Sequence, residues 1–126
     1  MIKNSNLLND KLKGISLQNI EYIVGFNLNF HNMSFKDNSL LDIDFMVKDK
    51  DKRYIATFRF HNPNSINFES GGIFQQLSIG IYDISDRGWG DRKYEVIDYE
   101  EDSLHFYCTD LEIINVKETD YIFSPI

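Results

Sequence analysis

From position 20 onward, apolar and polar residues alternate along most of the chain with a period of two. In IEYIVGFNLNF, Ile20, Tyr22, Val24, Phe26, Leu28 and Phe30 fall on one side of an extended strand, with mostly polar residues between them. That is the pattern of a sheet with one buried face. Gly25 interrupts the run and predicts a bend or bulge. After KDNS, the stretch LLDIDFMV sends Leu41, Ile43, Phe45 and Val47 to one face and Asp42 and Asp44 to the other. A charged turn, DKDKR, follows, and YIATFRF then sets Tyr54, Ala56, Phe58 and Phe60 against Ile55, Thr57 and Arg59. Two alternating runs joined by a short polar turn predict a β-hairpin.

The segment HNPNSINFESGG, residues 61–72, has the proline, glycine pair and small polar residues of a long exposed loop. Beyond it, FQQLSIGIYDI reads as one strand with Leu77, Ile79 and Ile81 inward. DRGWGD reads as a turn, KYEVIDY as a strand, EED as a tight turn and SLHFYC as the partner strand. A final strand, LEIINV, changes phase after Thr109 and Asp110, which predicts a bulge or short turn. Ahead of the strands, SNLLNDKLKG spaces Leu8 and Leu12 four apart, with Ser5 to cap and Gly14 to stop a short helix over residues 5–13. Seven to nine short sequential strands with polar turns predict a single all-β domain over residues 1–126. Its architecture is mainly an antiparallel β-sandwich or partly open barrel, with that one short N-terminal helix.

Composition supports the β reading. Ten Phe and seven Tyr suit pleated faces, and alanine, the best helix former, occurs once, at Ala56. With 126 residues, 42 % of them hydrophobic, the chain is long enough to enclose an ordinary core. No run approaches the roughly 20 apolar residues needed to cross a bilayer, and no apolar stretch has signal-peptide length. A cytoplasmic protein with no membrane partner is expected. The lone cysteine, Cys108, rules out an internal disulfide, fits a reducing compartment and reads as a small buried side chain.

Charge is unevenly placed. Residues 1–63 carry nine Lys and Arg against seven Asp and Glu, residues 64–126 carry four against thirteen, and the halves therefore stand at +2 and −9. Nucleic-acid binding depends on Lys and Arg neutralising phosphates, so no nucleic-acid partner is expected. An acidic face suits a basic protein partner.

Candidate chemistry is sparse. Asp83, Asp86 and Asp91 lie in a glycine-containing loop, but Arg87 and Trp89 occupy positions where calcium ligands would have to stand. His31, His61 and His105 are far apart and lack zinc spacing. His105 and Cys108 are an odd number of positions apart and belong on opposite faces of a strand. Glu100, Glu101 and Asp102 sit together on a tight turn, where hydration keeps carboxylates from dividing into acid and base. Gly71-Gly72 and Gly88-Trp89-Gly90 lack the strand-to-helix setting of a phosphate loop. The expectation is a non-enzyme with no metal and no cofactor.

The segment from Asp83 to Ile113 carries a pattern of its own: Asp83-Ile84, Gly88-Trp89, Tyr94, Val96, Asp98-Tyr99-Glu100, Phe106-Tyr107-Cys108 and Glu112-Ile113. This pattern resembles the carboxy-terminal half of YxiG-type proteins of Gram-positive bacteria and of immunity-50-type proteins from polymorphic toxin systems. The resemblance implies a cytoplasmic, non-enzymatic protein that neutralises a toxin by binding it. Trp89 is then the candidate apolar anchor, and Asp86, Asp91, Glu100, Glu101 and Asp102 form the candidate charged rim toward a basic toxin domain. Two alternatives stand beside it. One is a small-molecule or peptide-binding module with its pocket between the sheet and residues 61–72; the other is a structural subunit that dimerises through a strand edge.

Overall fold

A computed structural model describes residues 20–30, 39–49, 51–69, 75–76, 78–90, 92–100 and 102–119. These form nine strands: β1 (Ile20–Phe30), β2 (Ser39–Asp49), β3 (Lys52–His61), β4 (Asn64–Phe68), β5 (Gln75–Gln76), β6 (Ile79–Asp83), β7 (Tyr94–Asp98), β8 (Leu104–Cys108) and β9 (Asp110–Thr119). The fold is all-β, with two antiparallel sheets in the orders β5-β1-β2-β3-β9 and β4-β8-β7-β6, called here the large and small sheets. The helix expected over residues 5–13 lies outside the described residues.

The β2–β3 hairpin forms as its alternation predicts. It pairs from Leu40 with His61 to Asp49 with Lys52, and Leu41, Ile43, Phe45, Val47, Ala56, Phe58 and Phe60 are all fully buried. β1 departs from its predicted phase. Ile20 pairs with Val47 but Tyr22 with Met46, and Ile23 pairs with Phe45 but Gly25 with Asp44. Glu21 and Val24 are thus inserted residues. Each bulge turns the following side chains to the other face. Ile20 and Ile23 are therefore buried and Val24 is 41 % exposed, while Phe30, back in phase with Phe26 and Leu28 and paired with Ser39, is 77 % exposed at the end of the strand. The irregularity expected at Gly25 is present; the inward placement of Tyr22 and Val24 is not, and Phe30 keeps the expected phase without being buried.

The loop expected over residues 61–72 is also corrected, since residues 64–68 are β4, paired with β8. Its inward side chains, Ile66 and Phe68, pack on the core. The run FQQLSIGIYDI divides as well: Gln75 and Gln76 join β1 in the large sheet, whereas Ile79–Asp83 pairs with β7 in the small one.

One corner ties the two sheets together. β3 and β9 pair as far as His61 with Asp110, and the same two chain segments run on as β4 and β8, where Asn64 pairs with Tyr107. Asn62 takes a left-handed φ of 53°, and the Thr109 N–H donates to the His61 carbonyl at 2.9 Å across the bend. Asparagine tolerates that conformation better than most residues, and the phase change predicted after Thr109 is this corner.

Between the sheets lies one apolar cluster. Phe60 of the large sheet meets Phe106 of the small one edge-to-face at 4.9 Å, and Phe26 stacks on Phe68 at 4.7 Å. Each fully buried Phe contributes roughly 1.5–3 kcal/mol from area removed from water. Such packing fixes which side chains the outer faces present.

Candidate partner-binding surface

The outer face of the large sheet carries polar side chains in register across its strands. Asn27 pairs with Asp42, Asp42 with Arg59, and Arg59 with Glu112. The Arg59 guanidinium donates twice to the Asp42 carboxylate, each bond 2.9 Å, and its pKa is raised chiefly by that hydrogen bond. His61 meets Glu112 at 2.7 Å, and the Thr57 hydroxyl donates to Asp44 at 2.5 Å. Arg59 and His61 are thus each matched to a carboxylate across neighbouring strands, which braces the sheet.

The small sheet differs. Its inward residues are Val96, Leu104, Phe106 and Cys108, all fully buried, so Glu95, His105 and Tyr107 face outward. His105 and Glu95 meet at 2.8 Å, and the His105 ring lies 5.1 Å from the Tyr107 ring. His105 and Cys108 do occupy opposite faces. Burial pushes the Cys108 thiol up to about 12, so it remains protonated and unreactive at neutral pH.

The β6–β7 connection brings Trp89 over this face. Ile84, 1 % exposed, plugs the base of the loop, while its N–H donates to the Lys93 carbonyl at 2.8 Å and the Lys93 N–H to the Cys108 carbonyl at 3.0 Å. Asp83 accepts from the Ser85 hydroxyl at 2.6 Å and its N–H at 2.9 Å, bonds that lower the Asp83 pKa below the usual carboxylate value. Residues 85–87 make a single 3-10 turn, after which Gly88 and Gly90 adopt left-handed φ values of 68° and 65°. Glycine enters that region without the steric penalty of a side chain. The two glycines let the chain reverse on either side of Trp89 and lay its indole against the sheet.

The result is a layered cluster. Trp89 packs edge-on against Tyr107 at 6.0 Å, yet remains 47 % exposed. The Arg87 guanidinium lies 5.1 Å from the Trp89 ring centroid and that of Arg92 lies 4.6 Å from Tyr107. Arg92 also donates to the Ser65 hydroxyl of β4 at 2.8 Å. Trp89 is a half-exposed ring held from beneath, not a plug in the core.

The predicted rim is divided by the fold. Asp86 is exposed beside Trp89, while Glu100 and Asp102 are exposed at the β7–β8 turn, at the far end of β7. The five residues of β7 separate the two ends by about 15 Å at a strand's rise per residue. Asp91 and Glu101 lie outside the described residues. Beneath the acidic turn, fully buried Asp98 accepts from the Ser78 N–H at 3.1 Å and the Ser103 hydroxyl at 2.5 Å, which fixes the turn to β6. Among the described residues, the predicted acidic rim is thus split between the two ends of β7.

Arg87, Arg92 and Tyr107 are not among the candidate partner-binding residues read from the sequence. A signal for them existed: Arg87, Arg92 and Lys93 are three of the four Lys and Arg in residues 64–126, all within four positions of Trp89. Within residues 61–72, Ile66 and Phe68 are partly buried and pack against the core. Among the described residues, no group of three or more His, Cys, Asp and Glu side chains could hold a metal ion, and no helix is long and apolar enough to cross a membrane. No protein-family model, curated protein or solved structure matches the chain.

Proposed function

We propose that this protein is an immunity-type inhibitor that binds a bacterial toxin and neutralises it through the outer face of the small sheet. The observation that carries the reading is Trp89, half-exposed yet positioned by Tyr107, Arg87 and two left-handed glycines. Tryptophan, tyrosine and arginine dominate the energetics of protein interfaces when they are held in place beforehand. The acidic turn with Glu100 and Asp102 adds a charged end that attracts a basic partner and governs encounter more than residence.

The test begins with capture of the partner from cells on the immobilised chain. Expressed alone, the captured protein should arrest growth, and growth should return when this chain is co-expressed. Trp89→Ala should abolish the rescue by speeding dissociation. Replacing Glu100 and Asp102 with Gln and Asn should slow association several-fold at low salt and leave dissociation unchanged. A captured protein that is harmless when expressed alone, or rescue indifferent to Trp89→Ala, would remove this reading.

A further inference from the structure

We infer that Arg87 and Arg92 form an anion-accepting site that receives carboxylates of an acidic protein segment beside Trp89. The inference rests on reading the outer face of the small sheet as a binding surface, and it assigns the chemistry of what meets the tryptophan end. In the large sheet, Arg53 and Arg59 each face a carboxylate, Glu21 and Asp42. Arg87 and Arg92 instead rest on aromatic rings, and among the described residues neither has an ion-pair partner.

A guanidinium held over a ring by its charge is not ion-paired there, and apart from the Arg92 Nη2 that donates to Ser65 its N–H groups are left for an incoming acceptor. Those groups match the two oxygens of a carboxylate. The ring contact also restrains the side chain, so less rotamer freedom is lost when the anion arrives. Tyr107 and Trp89 touch, so the series Arg87–Trp89–Tyr107–Arg92 is one continuous surface with cations at both ends and aromatic rings between. An acidic segment with an apolar or aromatic residue between its carboxylates fits that series.

Nucleic acid fits it poorly. A polyanion would carry successive phosphates past Asp83, Asp86 and Glu95, in a half of the chain with a balance of −9 from four Lys and Arg against thirteen Asp and Glu. A protein segment can place its few negative charges at the arginines alone.

Because Trp89 is the chain's single tryptophan, its fluorescence reports on this site without labelling. The intact protein is titrated with a synthetic peptide in which two Glu flank a Leu, with the same peptide carrying Gln for Glu, and with inorganic phosphate. The acidic peptide should give a saturable change in Trp89 emission in the millimolar range or below, weakening with added salt. Arg87→Gln and Arg92→Gln should each weaken it about tenfold, the loss expected for one charge-assisted pair. Arg87→Lys, which keeps the charge and loses the planar fork, should fall between. Lys117→Gln, at an exposed position of β9, removes an equal charge elsewhere and should change nothing. An equal response to the Gln peptide, no saturation with the acidic peptide, or phosphate binding as tightly as the peptide would each overturn the assignment. None of these outcomes depends on the toxin, so failure here is separable from failure of the growth rescue.

Discussion

Asp98 and Cys108 show how burial redirects chemistry at single residues. Asp98 belongs to a strongly acidic segment, yet it is fully enclosed and its carboxylate accepts from Ser78 and Ser103. Asp98→Ala should lower stability in urea by about 2–4 kcal/mol, because buried donors lose their carboxylate acceptor. Asp98→Asn should recover part of the loss, since one carbonyl oxygen still accepts while the new amide opposes the other donors. A loss below about 0.5 kcal/mol for the Ala variant, the size of a surface change, would mean the turn is held by other means. Cys108 gives the pH signature. Its pKa rises from 9.0 to about 12, mainly through desolvation, so above pH 9 the native state holds a proton that the unfolded chain releases. Stability from this group is full below pH 9 and is lost as pH climbs toward 12. Cys108→Ser titrations should lack that thiol-linked component, and thiol reagents at pH 8 should modify the native protein no faster than it opens. The spacing of Cys108 made its burial readable in the sequence. Nothing comparable marked Asp98, which alternates in phase with Tyr94 and Val96 but looks like one more acidic turn residue.

At the level of elements, legibility followed strict alternation. β2 and β3 keep one inward residue in every two without interruption, so period and partner could both be read. β1 defeats the same reasoning because bulges at Glu21 and Val24 change its phase twice, and a bulge leaves little trace in hydropathy. β4 was hidden by Asn62, Pro63 and Ser65, of which Asn62 and Ser65 have positive φ at the corner and within the strand; only Ile66 and Phe68, two apart, betrayed it. The Trp89 loop was recognised as a turn, but the direction of its indole depends on Tyr107 across the sheet, a contact that sequence spacing does not reveal. The loop itself is testable. Gly88→Ala and Gly90→Ala meet open space but must hold a left-handed backbone, so each should cost about 1–2 kcal/mol. Part of that cost can instead be met by local rearrangement, which frees the indole. Acrylamide quenching of Trp89 should rise in both variants; quenching equal to the parent's would show that the glycines are not what positions the ring.

For the whole molecule, the shared corner decides how the sheets respond to stress. The segments β3–β4 and β8–β9 belong to both sheets, so neither sheet can detach without breaking backbone pairing in the other. The side chains agree, since Phe60 and Phe106 meet across the interface inside one core cluster. The two outer faces are chemically separate, one with its ion pairs satisfied within the sheet and the other with arginines held on aromatic rings. The mechanical unit is nonetheless single, and a binding surface on the small sheet inherits its rigidity from both. Phe106→Ala removes a fully buried ring from the small sheet and should cost about 3–5 kcal/mol. The expected result is one cooperative transition in both parent and variant, with Trp89 fluorescence, which senses the small sheet, coinciding with far-UV circular dichroism, which senses both. Calorimetric and van't Hoff enthalpies should agree. If Trp89 emission in the variant changes at lower urea than the dichroism, the small sheet opens alone and the corner does not couple the layers; the rigidity attributed to the Trp89 surface would then have to come from the small sheet by itself.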